Sequence, residues 1–229
     1  MAKILVINPN SNLNVTDAMA DAVAPLALEG GPQFEMHTLA TGPIGVQSQA
    51  DVDAVALPLR AIVAERTDCS VFVIGCFSDP GLAVCREATK TPVLGIRECA
   101  VFTALSLGDR FGLVALAPAS VKRHTRAFRE MAVSERCAGI TPLHMSVAEA
   151  EEPGALPKVE RTAQTLIDDG AEVIILGCTG MARHRAPLEA RYGVPVIDPT
   201  QAAGAQALGL ALLSGSETIR PAADALLAS

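Results

Sequence analysis

The fold of this chain is indicated by one short stretch of sequence that occurs twice, as Val71-Phe-Val-Ile-Gly-Cys76 and as Val173-Ile-Ile-Leu-Gly-Cys178. Each copy is a run of four apolar residues that ends in Gly-Cys. Unbroken apolar runs of this length are typical of strands that a parallel sheet buries on both faces. Between such runs, apolar residues recur at helical spacing, and this alternation predicts parallel α/β units.

The same patterns predict the other elements. Further strands are predicted at 4–7, 93–96, 111–116 and 194–197, and weaker ones at 33–39 and 139–145. Helical spacing of apolar residues predicts helices over 52–63 and 159–167. Pro58 is expected to kink or split the first of these, because proline breaks the helical hydrogen-bond pattern. The acidic stretch 149–154 is interpreted as a surface loop.

Further matched landmarks divide the chain into two halves. Thr91-Pro-Val-Leu-Gly-Ile96 resembles Val194-Pro-Val-Ile-Asp-Pro199, in the same order and at nearly the same spacing as the two Gly-Cys runs. We therefore predict an α/β fold of two pseudo-symmetric subdomains, each a parallel sheet flanked by helices, with the active site in the cleft between them. The predicted parts are residues 1–100 with Cys76, residues 101–200 with Cys178, and a C-terminal helix of about 201–229 that packs back on the first half.

The composition excludes several classes of function. The 229 residues are 50% hydrophobic and 19% charged, with a net charge of −7, so the basic surface that nucleic acids require is missing. No apolar run approaches the roughly 18 residues of a membrane span, and the N-terminus leads directly into a strand-like segment rather than a signal peptide. We therefore expect a cytoplasmic homo-oligomer that acts on a small molecule and binds neither nucleic acid nor membrane.

Histidines and most cysteines carry no functional pattern. The four histidines lack the spacing of a metal site and no Gly-rich phosphate-binding motif is present, so no metal and no other cofactor is predicted. His124 and His184 lie in Arg-rich helical stretches and are expected to be solvated. The six cysteines include no C-x-x-C pair, and four of them are interpreted as small buried hydrophobes: Cys69, Cys85, Cys99 and Cys137.

Cys76 and Cys178 differ from the other cysteines because each directly follows a predicted strand and a glycine, at the edge where parallel sheets bind ligands. Ser78 or Asp79 is expected to cap a helix that begins at Pro80, and a nearby helix N-terminus would favour the thiolate. The repeat would set the two sulfurs on opposite sides of one cleft. There one thiolate could remove a proton from an activated carbon while the other thiol protonates the opposite face. The pattern indicates stereoinversion without a cofactor.

Four motifs follow one another along the chain: Ile7-Asn-Pro-Asn-Ser11, Gly42-Pro-Ile-Gly-Val-Gln47, Gly75-Cys-Phe-Ser-Asp-Pro-Gly-Leu82 and Gly177-Cys-Thr-Gly-Met181. Together they resemble the aspartate/glutamate/hydantoin racemase superfamily, and within it the hydantoin and allantoin racemase branch. The resemblance extends from residue 3 to about residue 213. It implies two α/β subdomains, a cofactor-independent racemisation and catalytic positions at Cys76 and Cys178.

Departures from the glutamate racemase pattern concern the substrate. The chain carries Asn10 in place of an Asp, and Gly180 in place of a His after the second cysteine. The site therefore offers fewer polar groups to an amino-acid zwitterion, which favours a substrate with a flatter, less charged ring. The candidate substrate-binding residues are Asn10, Ser11, Gln47, Phe77, Ser78, Thr179 and Gly180. Helix capping is an equally good interpretation of four of them, Asn10, Ser11, Ser78 and Thr179, and Phe77 could equally pack in the core. Gln47 is included mainly because of its position in the resemblance.

We therefore predict a racemase of 5-substituted hydantoins or of allantoin. The C5–H of such a ring lies between a carbonyl and a ring nitrogen, so its removal gives an enolate that hydrogen-bond donors can stabilise. The alternatives are an aspartate or glutamate racemase, another isomerase or a decarboxylase on the same scaffold, a non-catalytic small-molecule-binding protein, and a thiol redox protein.

Overall fold

The computed structural model describes residues 2–215, which form two halves, each built on a four-stranded parallel sheet. The strands of the first sheet are β1 (Lys3–Asn8), β2 (Gln33–Thr38), β3 (Val71–Ile74) and β4 (Val93–Gly95). Those of the second sheet are β5 (Phe111–Ala115), β6 (Cys137–Pro142), β7 (Val173–Leu176) and β8 (Val196–Ile197). The strand orders, β2-β1-β3-β4 and β6-β5-β7-β8, are the same topology, so the predicted fold class is confirmed.

Helices connect the parallel strands in both halves, because a crossover must return the chain to the same end of the sheet. In the first half these are α1 (Leu13–Val23), α2 (Gln49–Ala54), α3 (Ala56–Glu65), α4 (Leu82–Ala88) and α5 (Ile96–Leu105). In the second half they are α6 (Pro118–Glu130), α7 (Val147–Glu151), α8 (Leu156–Asp168) and α9 (Arg185–Tyr192), and α10 (Pro199–Gly215) follows the last strand. Within the described range, no helix has the length and apolarity to cross a bilayer.

Successive side chains of the central strands alternate between two apolar layers, as the two-residue period of a strand requires. Leu5 of β1 and Phe72 of β3 are fully buried against α3 and α4. Their neighbours Ile4 and Val71 are fully buried on the opposite face, against α1, α5 and α10. Both faces of the first sheet are therefore covered, which explains why its strands read as unbroken apolar runs.

Helix α5 packs against both sheets. Cys99 of α5 belongs to the apolar layer beneath the first sheet, whereas Ala100 and Ala104 pack with Phe111 and Ile175 of the second sheet. Helix α10 packs against α5 and α1, beside the first sheet. Of the predicted C-terminal helix, residues 216–229 lie outside the described residues.

The structure contradicts two sequence predictions and locates the break expected in one helix. The stretch 149–154 is not a loop, because α7 begins after a capping box in which Ser146 and Glu149 satisfy each other's backbone N–H groups. His184 is not solvated: it is 2% exposed, with Nε2 2.9 Å from the Ala150 carbonyl oxygen. The helix predicted over 52–63 is split, as expected for a helix that contains Pro58. The break lies at Val55, so Pro58 is in the first turn of α3, where its missing N–H costs no hydrogen bond.

Candidate active site

Two glycines allow β3 and β7 to end in equivalent positions. The Gly75 N–H donates to the Ile7 carbonyl oxygen, and the Gly177 N–H donates to that of Val114, each at 2.8 Å. A Cβ on Gly75 would lie 3.0 Å from the Ile7 oxygen, and one on Gly177 would lie 2.7 Å from the Val114 oxygen. These approaches are too close for any larger residue without a backbone shift. In each half, the next residue along the chain is the cysteine of the predicted pair.

Cys76 and Cys178 line one cavity of about 110 Å³, which residues of both halves enclose. Pockets for drug-sized ligands are larger, roughly 300–1,000 Å³, so this cavity suits a small ring. Five predicted substrate-binding residues line it together with the cysteines: Asn10, Gln47, Phe77, Ser78 and Thr179. The other two do not: the Ser11 N–H donates to the Pro43 carbonyl at 2.9 Å, and Gly180 lines a different cavity.

The side chain of Asn10 is oriented by its neighbours. Its Oδ1 accepts the Asn12 N–H at 2.9 Å and the Asn8 Nδ2–H at 3.1 Å, which assigns the other end of the amide as the donor. The side-chain cap of α1 is Asn12, whose side chain accepts from the Asn14 N–H, so Asn10 is not the capping residue. Asn10 therefore lines the cavity with an amide whose oxygen is already occupied and whose nitrogen is a donor.

Burial dominates the chemistry of Cys76. It raises the pKa of the thiol to about 11, partly opposed by the Ser78 N–H and the Arg97 guanidinium, which favour the thiolate. The predicted helix start at Pro80 is wrong: α4 begins at Leu82, two residues later than expected. Cys178 does directly precede a helical turn, the 3-10 helix Thr179–His184.

Asp79 caps a helix, but not the one that was predicted. Its carboxylate accepts the backbone N–H groups of Arg97 at 3.0 Å and Glu98 at 3.1 Å, both in the first turn of α5. The Arg97 Nε lies 3.6 Å from the same carboxylate, whose side chain is fully buried. A Cβ on Gly95 would lie 2.3 Å from the Asp79 Cγ, so glycine makes the space for this cap. Burial raises the pKa of Asp79 to about 6, opposed by Arg97.

His124 is a cavity residue that sequence reasoning missed. It is 3% exposed rather than solvated, its ring packs edge-on against Phe77 with centroids 5.2 Å apart, and both residues line the cavity. Burial lowers the pKa of His124 to about 3, and the nearby Arg97 and Arg123 guanidinium groups lower it further. The imidazole is therefore neutral. No group of three metal-ligating His, Cys, Asp or Glu side chains occurs among residues 2–215, His124 included.

The spacing of His124 relative to the apolar residues of α6 could have indicated that it is buried. Ala127 and Phe128, three and four residues further along α6, are buried with it on one face of the helix. Phe77 was interpreted either as a cavity residue or as a core residue, and it is both: it lines the cavity and belongs to the core between α5 and the second sheet.

Comparison with known proteins identifies relatives along nearly the whole chain. Residues 4–207 match the family model described as Asp/Glu/Hydantoin racemase. A hydantoin racemase of Paenarthrobacter aurescens is 34% identical over 207 residues, which cover 88% of this chain and 87% of that protein. A hydantoin racemase of Rhizobium meliloti is 32% identical, covering 87% of this chain and 85% of that protein. The solved allantoin racemase from Klebsiella pneumoniae superposes with a TM-score of 0.87 at 28% identity, covering 93% of this chain and 89% of that one.

The chain therefore belongs to the Asp/Glu/hydantoin racemase family, and it is an isomerase of the racemase type. The family resemblance drawn from the four sequence motifs is confirmed.

Proposed function

We propose that this member of the Asp/Glu/hydantoin racemase family racemises 5-substituted hydantoins, allantoin among them, without a cofactor, and that Cys76 and Cys178 transfer the proton. One observation carries the proposal: the two cysteines follow equivalent strands, β3 and β7, and line the same small cavity. Relatives named hydantoin racemase and allantoin racemase support the substrate class.

The reaction needs one base and one acid on opposite faces of the ring carbon. A thiolate removes the C5 proton, the electron pair delocalises onto the adjacent carbonyl as an enolate, and the second cysteine protonates C5 from the other face. We propose that each cysteine is the base for one enantiomer and the acid for the other; burial favours the thiol form of Cys76. After one turnover the two protonation states are exchanged, and the reverse reaction restores them.

The enolate oxygen needs hydrogen-bond donors in a site that excludes water. We propose that the Asn10 amide nitrogen supplies one, because the other end of that amide is already occupied by two donors. Ser78, two residues after Cys76, and Thr179, directly after Cys178, line the same cavity, and their N–H or O–H groups are the further candidates. Phe77 and the neutral His124 would cover the ring face without adding charge.

The test is proton exchange in D₂O. Each enantiomer of allantoin, 5-benzylhydantoin, 5-isopropylhydantoin, aspartate and glutamate is incubated with the protein, and optical rotation and the α-proton NMR signal are followed together. We expect racemisation of at least one hydantoin with deuterium incorporation. Exchange of an amino acid alone would move the protein to the amino-acid racemases, and no exchange with any compound would favour a binding protein.

A matched variant makes the assay specific. Cys137 is half-buried and does not line the cavity, so Cys137→Ser should retain the wild-type rate. A loss of activity in Cys137→Ser equal to that in Cys76→Ser would show that thiol removal acts through folding rather than through proton transfer.

A further inference from the structure

The wall of the catalytic cavity contains a half-buried guanidinium that forms no ion pair within 4 Å among the described residues. Arg123 of α6 lines the cavity, and its Nε is buried without a hydrogen-bond partner. Its Nη1 makes only a long bond, 3.4 Å, to the Ala119 carbonyl. None of the ion pairs formed among residues 2–215 includes Arg123. Burying a charge without a partner is costly, so this arrangement points to an anionic ligand.

A second cavity adjoins the first at this arginine. It has a volume of about 270 Å³, and we call it the arginine pocket because three guanidinium groups line it: Arg97, Arg123 and Arg126. Ser78 and Arg123 line both cavities, so the two are neighbours. The pocket is positively charged although the chain as a whole has a net charge of −7.

The other two guanidinium groups of the arginine pocket have ion-pair partners. Arg97 lies 3.6 Å from the buried Asp79, although its Nε, like that of Arg123, has no hydrogen-bond partner. Arg126 donates to the Gln49 side chain at 2.8 Å and lies 3.9 Å from Glu130, the acidic residue of the lining. Arg123 is therefore the guanidinium of this pocket that forms no ion pair among the described residues.

We propose that Arg123 binds a carboxylate at the end of the substrate's C5 substituent, which extends from the cysteine-lined cavity towards the arginine pocket. The proposal rests on the proposed function and names its preferred substrate class, hydantoins with an acidic side chain. The catalytic cavity has room for a small ring, so a longer substituent must leave it, and Arg123 lies at the boundary. A guanidinium matches a carboxylate in shape and can form two parallel hydrogen bonds with it.

Two other roles of Arg123 would give different kinetics. The guanidinium also interacts electrostatically with Cys76 and with Asp51. If it served to stabilise the Cys76 thiolate, its removal would slow every hydantoin equally and would shift the pH profile of kcat. If it served to pair with Asp51, its removal would lower stability and leave the choice of substrate unchanged.

The experiment compares two hydantoins of nearly the same shape and different charge, hydantoin-5-acetic acid and hydantoin-5-acetamide, with 5-isopropylhydantoin as a neutral reference. Wild type should racemise the acid with a kcat/KM at least about tenfold above that for the amide, the effect of one charge-assisted contact. Arg123→Met and Arg123→Gln should remove this preference, mainly through KM. Arg129→Met, an exposed position on the same helix outside both cavities, should retain it.

Each outcome has one meaning. Equal rates for acid and amide in wild type overturn the proposal, as does an Arg123 variant that slows both substrates by the same factor. An equal effect of Arg129→Met would show that net charge, not the pocket, selects the acid. Turnover of 5-isopropylhydantoin without any preference for the acid overturns this inference alone, whereas no turnover of any hydantoin overturns the proposed function itself.

Discussion

Replacing His124 by glutamine should make the fold less sensitive to acid. The side chain is 3% exposed, and burial, with help from Arg97 and Arg123, lowers its pKa from 6.5 to about 3. Below pH 6.5 the unfolded chain therefore binds a proton that the folded protein does not, and stability falls as the pH is lowered until the folded-state pKa is reached. Glutamine is polar and of similar length but does not titrate.

The magnitude follows from the two pKa values. Each pH unit between 6.5 and about 3 costs about 1.4 kcal/mol, so at pH 4 His124 removes about 3 kcal/mol from the unfolding free energy of wild type. The assay is urea denaturation of wild type and His124→Gln at several pH values from 4 to 7. The stability difference between the two proteins should change by about 3 kcal/mol across this range, in favour of the variant at low pH.

The control is His144→Gln. His144 is exposed and lies outside the cavity, so this variant shows the effect of replacing a histidine that is not buried in the cavity wall. If the stability of His124→Gln fell with acid in parallel with that of wild type, the imidazole would be protonated as easily in the folded as in the unfolded chain. The burial of His124 in the wall of the cavity, and with it the neutral lining proposed for the substrate ring, would then be wrong.

Three further predictions concern the elements that hold the site. Gly177→Ala should destabilise the protein by about 1–3 kcal/mol, because the new Cβ would meet the Val114 carbonyl oxygen. Gly209→Ala in α10 places its Cβ in open space and should stabilise the protein by about 0.5–1 kcal/mol. Thermal unfolding compares the two variants, and equal effects would refute the close approach at Gly177. Asp79→Ala should lower the free energy of unfolding by about 3–5 kcal/mol, because it leaves the Arg97 guanidinium without its ion pair and α5 without its cap. Urea denaturation measures this loss, and a value below about 1 kcal/mol would contradict the role of Asp79. Alkylation of Cys76 by iodoacetamide, followed by peptide mass spectrometry, should rise about tenfold per pH unit from pH 7 to pH 10, since its pKa is about 11, and a plateau below pH 9 would contradict that value.

Much of the fold was predictable because both sheets are buried on both faces. Continuous apolar runs, such as those ending at Gly75 and Gly177, identify the central strands without any knowledge of their partners. The repeat of those runs also placed the two cysteines at equivalent strand ends. The family resemblance, drawn from four short motifs, is confirmed over residues 4–207. The cytoplasmic location and the homo-oligomeric state stay predictions.

The remaining features depend on contacts between distant parts of the chain. Asp79 caps α5 from the turn after β3, a pairing that no local spacing could indicate, and the helix predicted next to Cys76 begins later as a result. His124 lies in a basic run, and its charged neighbours concealed the apolar face that it shares with Phe128. Arg123 belongs to the same basic run and also forms part of the cavity wall.

The most direct test of the central claim is the stereochemistry of exchange in single-cysteine variants. Cys76→Ser and Cys178→Ser are each incubated in D₂O with the separate enantiomers of a hydantoin that wild type racemises. A serine hydroxyl is too weak an acid to give a useful base at neutral pH, so neither variant should racemise either enantiomer. Exchange of the C5 proton, where it persists, should occur with one enantiomer only and with opposite enantiomers in the two variants. Full racemisation by either variant would contradict the two-thiol mechanism.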